Sequence, residues 1–299
     1  MSKLLRINLK LRNLARTILA KKHYTKLNFP NTLNIELTTI CNSSCIICPH
    51  SSIKRKKIMD FNLFKKIIDE ASKYDIKNIF PTLYGEPFLD NNLLKALRYI
   101  REKIPKSKIR LISNGSVMND KQVDEVVKEH LIDNIDFSLD AINPETYNFV
   151  RKGLNYEITI KKIMNFLKKN KEYGNKIETT VSFTINDGNK KEIKKFRKFW
   201  KNQVSSIHFG ADDGRKNNPV IDKFSNKPCL SIFESMFILS DGNVVLCCMD
   251  YNGNYSLGNV KEKSLKEIWD SEKYDYIRNC HLIKNKNKIP LCSKCHILG

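Results

Sequence analysis

The chain has 299 residues, of which 41% are hydrophobic and 28% are charged, and its net charge is +21. This composition is typical of a soluble globular protein with one large α/β domain and a small second domain. No stretch approaches the ~20 apolar residues of a membrane span, and no signal-peptide core is present. The nine cysteines therefore indicate metal sites in a reducing cytoplasm.

The positive charge is explained most simply by lysine-rich, solvated surfaces. Attraction of an acidic partner is the alternative, and nucleic acid, anionic lipid, a phosphorylated substrate and an acidic redox protein would all qualify. Because the sequence has no aromatic-rich RNA-binding motif, nucleic acid is not an expected partner.

Residues 1–30 are a basic N-terminal segment with eight Lys or Arg residues and no acidic residue. Apolar residues recur there at helical spacing, namely Leu11, Leu14, Ala15, Ile18 and Leu19. We expect an amphipathic helix that packs against the main domain, with contact to a membrane surface as the alternative.

From residue 33 onward, strand-like and helix-like runs alternate. The predicted strands are Asn34–Ile40, Asn78–Leu83, Ile109–Ser113, Asn134–Leu139, Ile177–Thr184 and Ser205–Phe209. The predicted helices are Phe61–Ser72, Asn91–Lys103, Lys121–Glu129, Tyr156–Asn170 and Lys190–Lys201. This alternation predicts the α/β class, with a parallel sheet covered by helices. Too few repeats follow for a closed barrel, so we expect an open, six-stranded (β/α)6 TIM-like partial barrel over residues 31–215, with its chemistry at the carboxyl ends of the strands.

The pattern changes over residues 216–299, which we expect to be a small second domain. Ile232–Leu239, the turn at Asp241-Gly242 and Val244–Cys248 predict a β-hairpin. A capping box begins at Ser264 and predicts one helix that continues to about Ile277.

Cys41, Cys45 and Cys48 follow the first predicted strand with the spacing Cys-x3-Cys-x2-Cys. They are too close together for a disulfide framework, whereas thiolates are the soft ligands that iron–sulfur clusters need. Three thiolates leave one iron of a 4Fe–4S cluster open for chemistry. A zinc site or a group of buried thiols is the alternative.

The spacing resembles the defining motif of the radical S-adenosylmethionine (AdoMet) enzymes, in which the fourth iron binds the amino and carboxylate groups of AdoMet. The residue before the last cysteine is usually aromatic in that family and is Ile47 here. Tyr84-Gly85-Glu86-Pro87 resembles the Gly-Gly-Glu motif of the family, and Ser113-Asn114-Gly115 is similar to its Thr-Asn-Gly motif.

The resemblance implies an AdoMet site at the ends of successive strands, formed by Gly85, Glu86, Ser113, Asn114, Ser138, Asp140 and Arg151. Glu86 is expected to accept hydrogen bonds from the methionyl ammonium of AdoMet. Ser138 and Asp140 are two residues apart and are expected to face the barrel interior, and Arg151 is expected to pair with the AdoMet carboxylate.

A second set of thiols comprises Cys229, Cys247, Cys292 and Cys295. Their spacing resembles the SPASM module and, with four ligands, its shortened Twitch form, which implies one auxiliary 4Fe–4S cluster that serves as an electron relay. A zinc ribbon is the alternative. Cys248 and Cys280 stay unassigned, either as buried small hydrophobes or as donors of a hydrogen atom.

The resemblance implies a radical AdoMet oxidoreductase that forms a 5′-deoxyadenosyl radical and abstracts a hydrogen atom from its substrate. The auxiliary cluster favours dehydrogenation of a small polyol or aminosugar-like metabolite. Such an enzyme needs a base to take the hydroxyl proton, and the sequence does not reveal this base. The alternatives are a peptide substrate, modified by thioether formation or oxidation, and epimerisation with Cys248 or Cys280 as the donor. Only about 30 residues precede the barrel, which we expect to be too few for a leader-binding domain of about 80–100 residues.

The expected electron donor is of the flavodoxin or ferredoxin type. The basic run Lys54-Arg55-Lys56-Lys57 follows the cysteine loop. We expect it to be solvated, with docking of that donor or binding of a substrate phosphate as the alternatives.

Overall fold

The computed structural model describes residues 28–211, 228–293 and 295, which form one sheet flanked by helices. Residues 1–27 of the predicted N-terminal segment, and the predicted domain boundary near residue 215, lie outside the described residues. Within the described ranges, no helix is long and apolar enough to cross a membrane.

The sheet has nine strands in the described part of the chain, in the order β6-β5-β4-β3-β2-β1-β7-β8-β9. The strands are β1 (Thr32–Ile35), β2 (Asn78–Phe80), β3 (Lys108–Ser113), β4 (Asn134–Ser138), β5 (Glu178–Ile185), β6 (Ser206–Ala211), β7 (Ser235–Ile238), β8 (Asn243–Val245) and β9 (Ser256–Asn259). Neighbouring strands from β1 to β6 are all parallel, and the sheet does not close on itself. The predicted α/β class with an open partial barrel is therefore confirmed.

Helices connect the parallel strands and continue through the C-terminal region. The helices are α1 (Phe61–Ala71), α2 (Leu93–Lys103), α3 (Asp120–Lys128), α4 (Pro144–Val150), α5 (Tyr156–Glu172), α6 (Ile193–Trp200), α7 (Ser231–Glu234), α8 (Leu265–Trp269), α9 (Glu272–Leu282) and α10 (Pro290–Ser293). Short 3-10 turns occur at Pro49–Ser52, Pro87–Leu89, Lys190–Glu192 and Lys286–Lys288.

The core lies between the sheet and its helices, and β4 shows why. Ile135 and Phe137 are fully buried, and the residues that alternate with them, Asp136 and Ser138, are half-buried on the opposite face. Side chains of a strand alternate between the two faces of the sheet, so one face packs against helices while the other carries polar groups. The polar face is the interior of the open barrel.

Two predictions about helices were wrong. Helix α4 was not predicted, although Asn143 caps it by accepting from the amides of Glu145 and Thr146 and Pro144 occupies its first turn. The predicted helix from Ser264 to about Ile277 is two helices, because Ser271 caps a new helix by accepting from the amide of Tyr274.

The predicted hairpin is present as β7 and β8, and its first strand begins later than expected because residues 231–234 are helical. β7 also pairs in parallel with β1, from Thr32 opposite Ser235 to Ile35 opposite Ile238. The C-terminal region therefore extends the barrel sheet next to the strand that leads into the first cysteine loop.

Candidate active site

The first three cysteines lie in the loop between β1 and α1. The hydroxyl oxygen of Ser43 lies 3.2 Å from Cys41 Sγ and 3.4 Å from Cys45 Sγ, so the loop curls around this side chain. The amide of Ser44 donates to the carbonyl of Lys152 at 2.7 Å, and that of Ile46 donates to the carbonyl of Val150 at 3.0 Å. The end of α4, the helix that sequence reasoning missed, thus holds the loop in place.

Arg151 follows α4 and lies against this loop. Its Nη1 is 3.6 Å from Cys45 Sγ, and its Nη2 is 2.5 Å from Oδ2 of Asp140. Asp140 is fully buried and its Oδ1 accepts from the amide of Thr184 at 2.6 Å. Burial raises the pKa of Asp140 and the guanidinium of Arg151 opposes that shift. The pair therefore places a cation beside the cysteine loop.

We predicted the orientation of Asp140 from the alternation of side chains along a strand, but this alternation does not extend to Asp140. β4 ends at Ser138, and Asp140 has a φ of 64°, which is outside the extended region. Its position depends instead on Thr184 and Arg151. Ser138 itself is half-buried at the end of β4 and pairs in register with Ser182 of β5.

Gly85 and Glu86 follow β2 and contact the base of the cysteine loop. A Cβ atom at position 85 would lie 2.2 Å from the carbonyl oxygen of Thr38, so that only glycine fits. The amide of Glu86 donates to the carbonyl of Ile40 at 2.8 Å, directly before Cys41.

The carboxylate of Glu86 joins the ends of β2 and β3. It is 2% exposed and accepts from Ser113 Oγ and from the amide of Asn114, both at 2.7 Å. Burial raises the pKa of Glu86 to about 7 against these hydrogen bonds. Asn114 Nδ2 in turn donates to Oδ1 of Asn42 at 3.0 Å, and Asn42 is a site residue that the cysteine spacing did not indicate.

The second set of thiols also comes together. Burial raises the pKa of Cys229, Cys247 and Cys292, that of Cys292 to about 12, and neighbouring thiols of the set oppose ionisation further. Cys295 interacts in this way with Cys229 and Cys292. Among the described residues, no three His, Cys, Asp or Glu side chains converge on one point, as a single metal ion would require. A 4Fe–4S cluster would instead take one thiolate at each of its four irons, so its ligands would not have to converge on one point.

Cys248 and Cys280 both lie beside this second set. Cys248 raises the pKa of Cys229 and Cys247, and Cys280 raises that of Cys292. The structure thus brings these two unassigned thiols close to the four cysteines of the second set.

His281 is a further neighbour of the second set and was missed, because a single histidine has no diagnostic spacing. It is 2% exposed. Its Nδ1 lies 3.1 Å from the amide nitrogen of Cys229, and its Nε2 lies 3.4 Å from Cys292 Sγ. Burial, together with the charge of Lys286, lowers the pKa of His281 to about 4, so the ring is neutral at pH 7.

The basic run after the cysteine loop is only partly a solvated surface. Lys54, Lys56 and Lys57 are exposed, as expected. Arg55, in contrast, donates to both carboxylate oxygens of the fully buried Glu36 at 3.0 and 2.8 Å and to the carbonyl of Tyr251. The expectation of a solvated side chain was wrong for Arg55, because the C-terminal region covers it.

The interior face of the barrel carries an acid that was not predicted. Both carboxylate oxygens of Asp136 on β4 lie 2.6 Å from Ser182 Oγ on β5, and Ser182 pairs in register with His208 on β6. Burial raises the pKa of Asp136. Among the described residues, the carboxylate of Asp136 therefore accepts one hydroxyl hydrogen and can accept further hydrogen bonds.

Residues 35–214 match the family described as the Radical SAM superfamily, and residues 229–296 match SPASM, described as an iron-sulfur cluster-binding domain. Because the first match covers more than half of the chain, the protein belongs to the radical SAM superfamily. It is an enzyme of the oxidoreductase type, and its cofactors are AdoMet and 4Fe–4S clusters, including an auxiliary cluster.

Two relatives and one solved structure are similar along most of the chain. A tungsten-containing aldehyde ferredoxin oxidoreductase cofactor-modifying protein of Pyrococcus furiosus is 24% identical over 89% of this chain and 87% of its own. An S-adenosyl-L-methionine-dependent 2-deoxy-scyllo-inosamine dehydrogenase of Niallia circulans is also 24% identical, over 88% of this chain and 92% of its own. The crystal structure of BtrN in complex with AdoMet and 2-DOIA matches with a TM-score of 0.63 at 19% identity, over 90% of this chain and 94% of that one. This last match shows that the fold is shared.

Proposed function

We propose that the enzyme dehydrogenates a small polyol or aminosugar-like metabolite by converting a secondary alcohol into a ketone. The change removes a hydrogen atom from the carbinol carbon, a proton from its oxygen and one electron. When bound, AdoMet and the first cluster supply the 5′-deoxyadenosyl radical that takes the hydrogen atom, and the auxiliary cluster supplies the electron acceptor.

The donor set of the chain suits these cofactors. The proposed ligands of the first cluster are Cys41, Cys45 and Cys48, and those of the auxiliary cluster are Cys229, Cys247, Cys292 and Cys295. The proposed AdoMet site comprises Gly85, Glu86, Ser113, Asn114, Ser138, Asp140 and Arg151. Nε of Arg151 is buried without a hydrogen-bond partner among the described residues, and it is therefore available to donate to an anionic ligand.

The observation that carries this proposal is the Asp136 carboxylate on the interior face of the barrel. Among the described residues it receives one hydrogen bond, from Ser182, and so keeps acceptor capacity for a substrate hydroxyl or ammonium group. Burial raises the pKa of Asp136, which improves the group as a base for the hydroxyl proton. The activity for which the relative of Niallia circulans is named supports the same class of substrate.

The test uses the reconstituted enzyme with AdoMet, dithionite and a panel of aminocyclitols and aminosugars deuterated at each carbinol carbon. We expect deuterium in 5′-deoxyadenosine together with a ketone product, both detected by mass spectrometry. Asp136→Asn should lower ketone formation by about 100-fold or more, the usual contribution of a positioned base. The exposed Asp75→Asn is the matched control and should keep wild-type rates.

The same assay separates the alternatives. Deuterium transfer from a peptide but from no member of the panel would replace the proposal with peptide modification. An inverted product that disappears in Cys248→Ala or Cys280→Ala would replace it with epimerisation. The proposed electron donor is a flavodoxin or ferredoxin, and exposed Lys54, Lys56 and Lys57 beside the cysteine loop would attract its acidic surface.

A further inference from the structure

His281 connects two cysteines of the second set that are far apart in the sequence. It lies on α9 and is enclosed by protein, with one ring nitrogen toward the backbone of Cys229 and the other toward the sulfur of Cys292. Each ring nitrogen of a neutral imidazole has only one role, since one is a donor and the other an acceptor.

The backbone determines which nitrogen has which role. The amide of Cys229 can only donate, so Nδ1 of His281 must accept that hydrogen bond at 3.1 Å. The ring hydrogen is then on Nε2, which lies 3.4 Å from Cys292 Sγ. A sulfur acceptor at this distance is within hydrogen-bonding range, so Nε2 of His281 donates an N–H···S hydrogen bond to Cys292 Sγ.

We propose that this hydrogen bond makes His281 a positioning residue that raises the reduction potential of the auxiliary cluster. The inference depends on the proposed role of Cys292 as a cluster ligand. Reduction adds one electron and increases the negative charge on the thiolate sulfurs, so a donor to sulfur stabilises the reduced form more than the oxidised form. His281 thereby makes the cluster a better acceptor for the electron that the substrate releases.

The test separates the two hydrogen bonds of the ring. His281→Asn places an amide oxygen near the position of Nδ1, so it keeps the acceptor for Cys229 and loses the donor to Cys292. His281→Phe keeps a ring and loses both. His281→Gln places an amide N–H near the position of Nε2 and restores the donor. The matched control is His130→Asn, in the loop that follows α3 and distant in sequence from every cysteine.

All variants are made in the Cys41→Ala/Cys45→Ala/Cys48→Ala background, so that the auxiliary cluster alone is titrated and followed by EPR. We expect His281→Asn and His281→Phe to lower the equilibrium constant for reduction about tenfold, which is 59 mV for a one-electron couple. His281→Gln and His130→Asn should keep the wild-type midpoint. A midpoint potential does not depend on the amount of cluster assembled, so a result from either His281→Asn or His281→Phe is enough for the test.

The outcomes that contradict the inference differ from those that contradict the proposed function. Two results would overturn the proposed hydrogen bond: an unchanged midpoint potential in His281→Asn and His281→Phe, or a midpoint in His281→Gln that is lowered as much as in those two variants. Neither result would contradict the proposed ligands of the auxiliary cluster. Absence of iron from the triple-alanine background itself would overturn the auxiliary ligand set, and the inference with it.

Discussion

The hydroxyl of Tyr84 donates a hydrogen bond of 2.6 Å to the carbonyl oxygen of Cys248. Tyr84 immediately precedes the Gly85-Glu86 segment of the proposed AdoMet site, and Cys248 follows Cys247 of the second set of thiols. One side chain, 5% exposed, therefore joins the two proposed cofactor sites. It occupies the position at which the family motif has its first glycine.

Tyr84→Phe should lower the free energy of unfolding by about 1 kcal/mol, since it removes one hydrogen bond and leaves a partly buried carbonyl without this donor. Urea unfolding under anaerobic conditions measures the change. Tyr99→Phe removes the hydrogen bond to Asp69 on an exposed surface and is the control, with an expected loss below roughly 0.5 kcal/mol. Equal losses in the two variants would contradict the bridging role of Tyr84.

Arg151→Lys should weaken AdoMet binding about tenfold or more, even though the charge is kept. The guanidinium reaches both Asp140 and Cys45, and the single ammonium of lysine cannot reproduce that planar geometry. Equilibrium dialysis of the reconstituted enzyme gives the dissociation constant. The adjacent, exposed Lys152→Ala is the control, and an Arg151→Lys variant with the same affinity as this control would exclude the proposed contact.

Glu86 should make the protein less stable as the pH rises toward and through neutrality. Burial raises the pKa of Glu86 from 4.5 to about 7, so between these values the folded state binds the proton more tightly than the unfolded state. Its contribution to stability is fully present below pH 4.5 and is lost as the pH rises through about 7. The total is roughly 3 kcal/mol at 1.36 kcal/mol per pKa unit.

The comparison of wild type with Glu86→Gln isolates this effect, because all other titrating groups are shared. The difference in unfolding free energy between the two proteins should change across this pH range, as measured by urea unfolding at about pH 5 and pH 8. A pH-independent difference would show that the carboxyl is already ionised at the lower pH.

Removal of the first three thiols should separate the two clusters. We expect about eight irons per chain in the reconstituted wild type and about four in Cys41→Ala/Cys45→Ala/Cys48→Ala, with 5′-deoxyadenosine formed only by the wild type. Iron and sulfide analysis, coupled to chromatography of the nucleoside, measures both quantities. About four irons in the wild type would remove the electron-acceptor role proposed for the second set.

The class of cofactor could be predicted from the sequence, because the ligands of an iron–sulfur cluster are recognised by their local spacing. Cys41, Cys45 and Cys48 lie within one loop, and soft ligands at such short intervals are typical of metal centres. The open α/β barrel was equally accessible, since repeated apolar strands and amphipathic helices are periodic features of the chain itself. The same reasoning missed α4, whose signals at Asn143 and Pro144 are brief.

The contacts that organise the site depend instead on which strands become neighbours. β7 pairs with β1 across some 200 residues, and this pairing buries Glu36 beneath Ser240 of the turn after β7, whose hydroxyl donates to it at 2.9 Å. Tyr84 meets Cys248, and His281 meets Cys292, through packing that carries no periodic signature. Spacing and periodicity therefore determined the cofactor class and the barrel, because both are local properties. Only the tertiary structure decided these three contacts, because they depend on packing between segments distant in the chain.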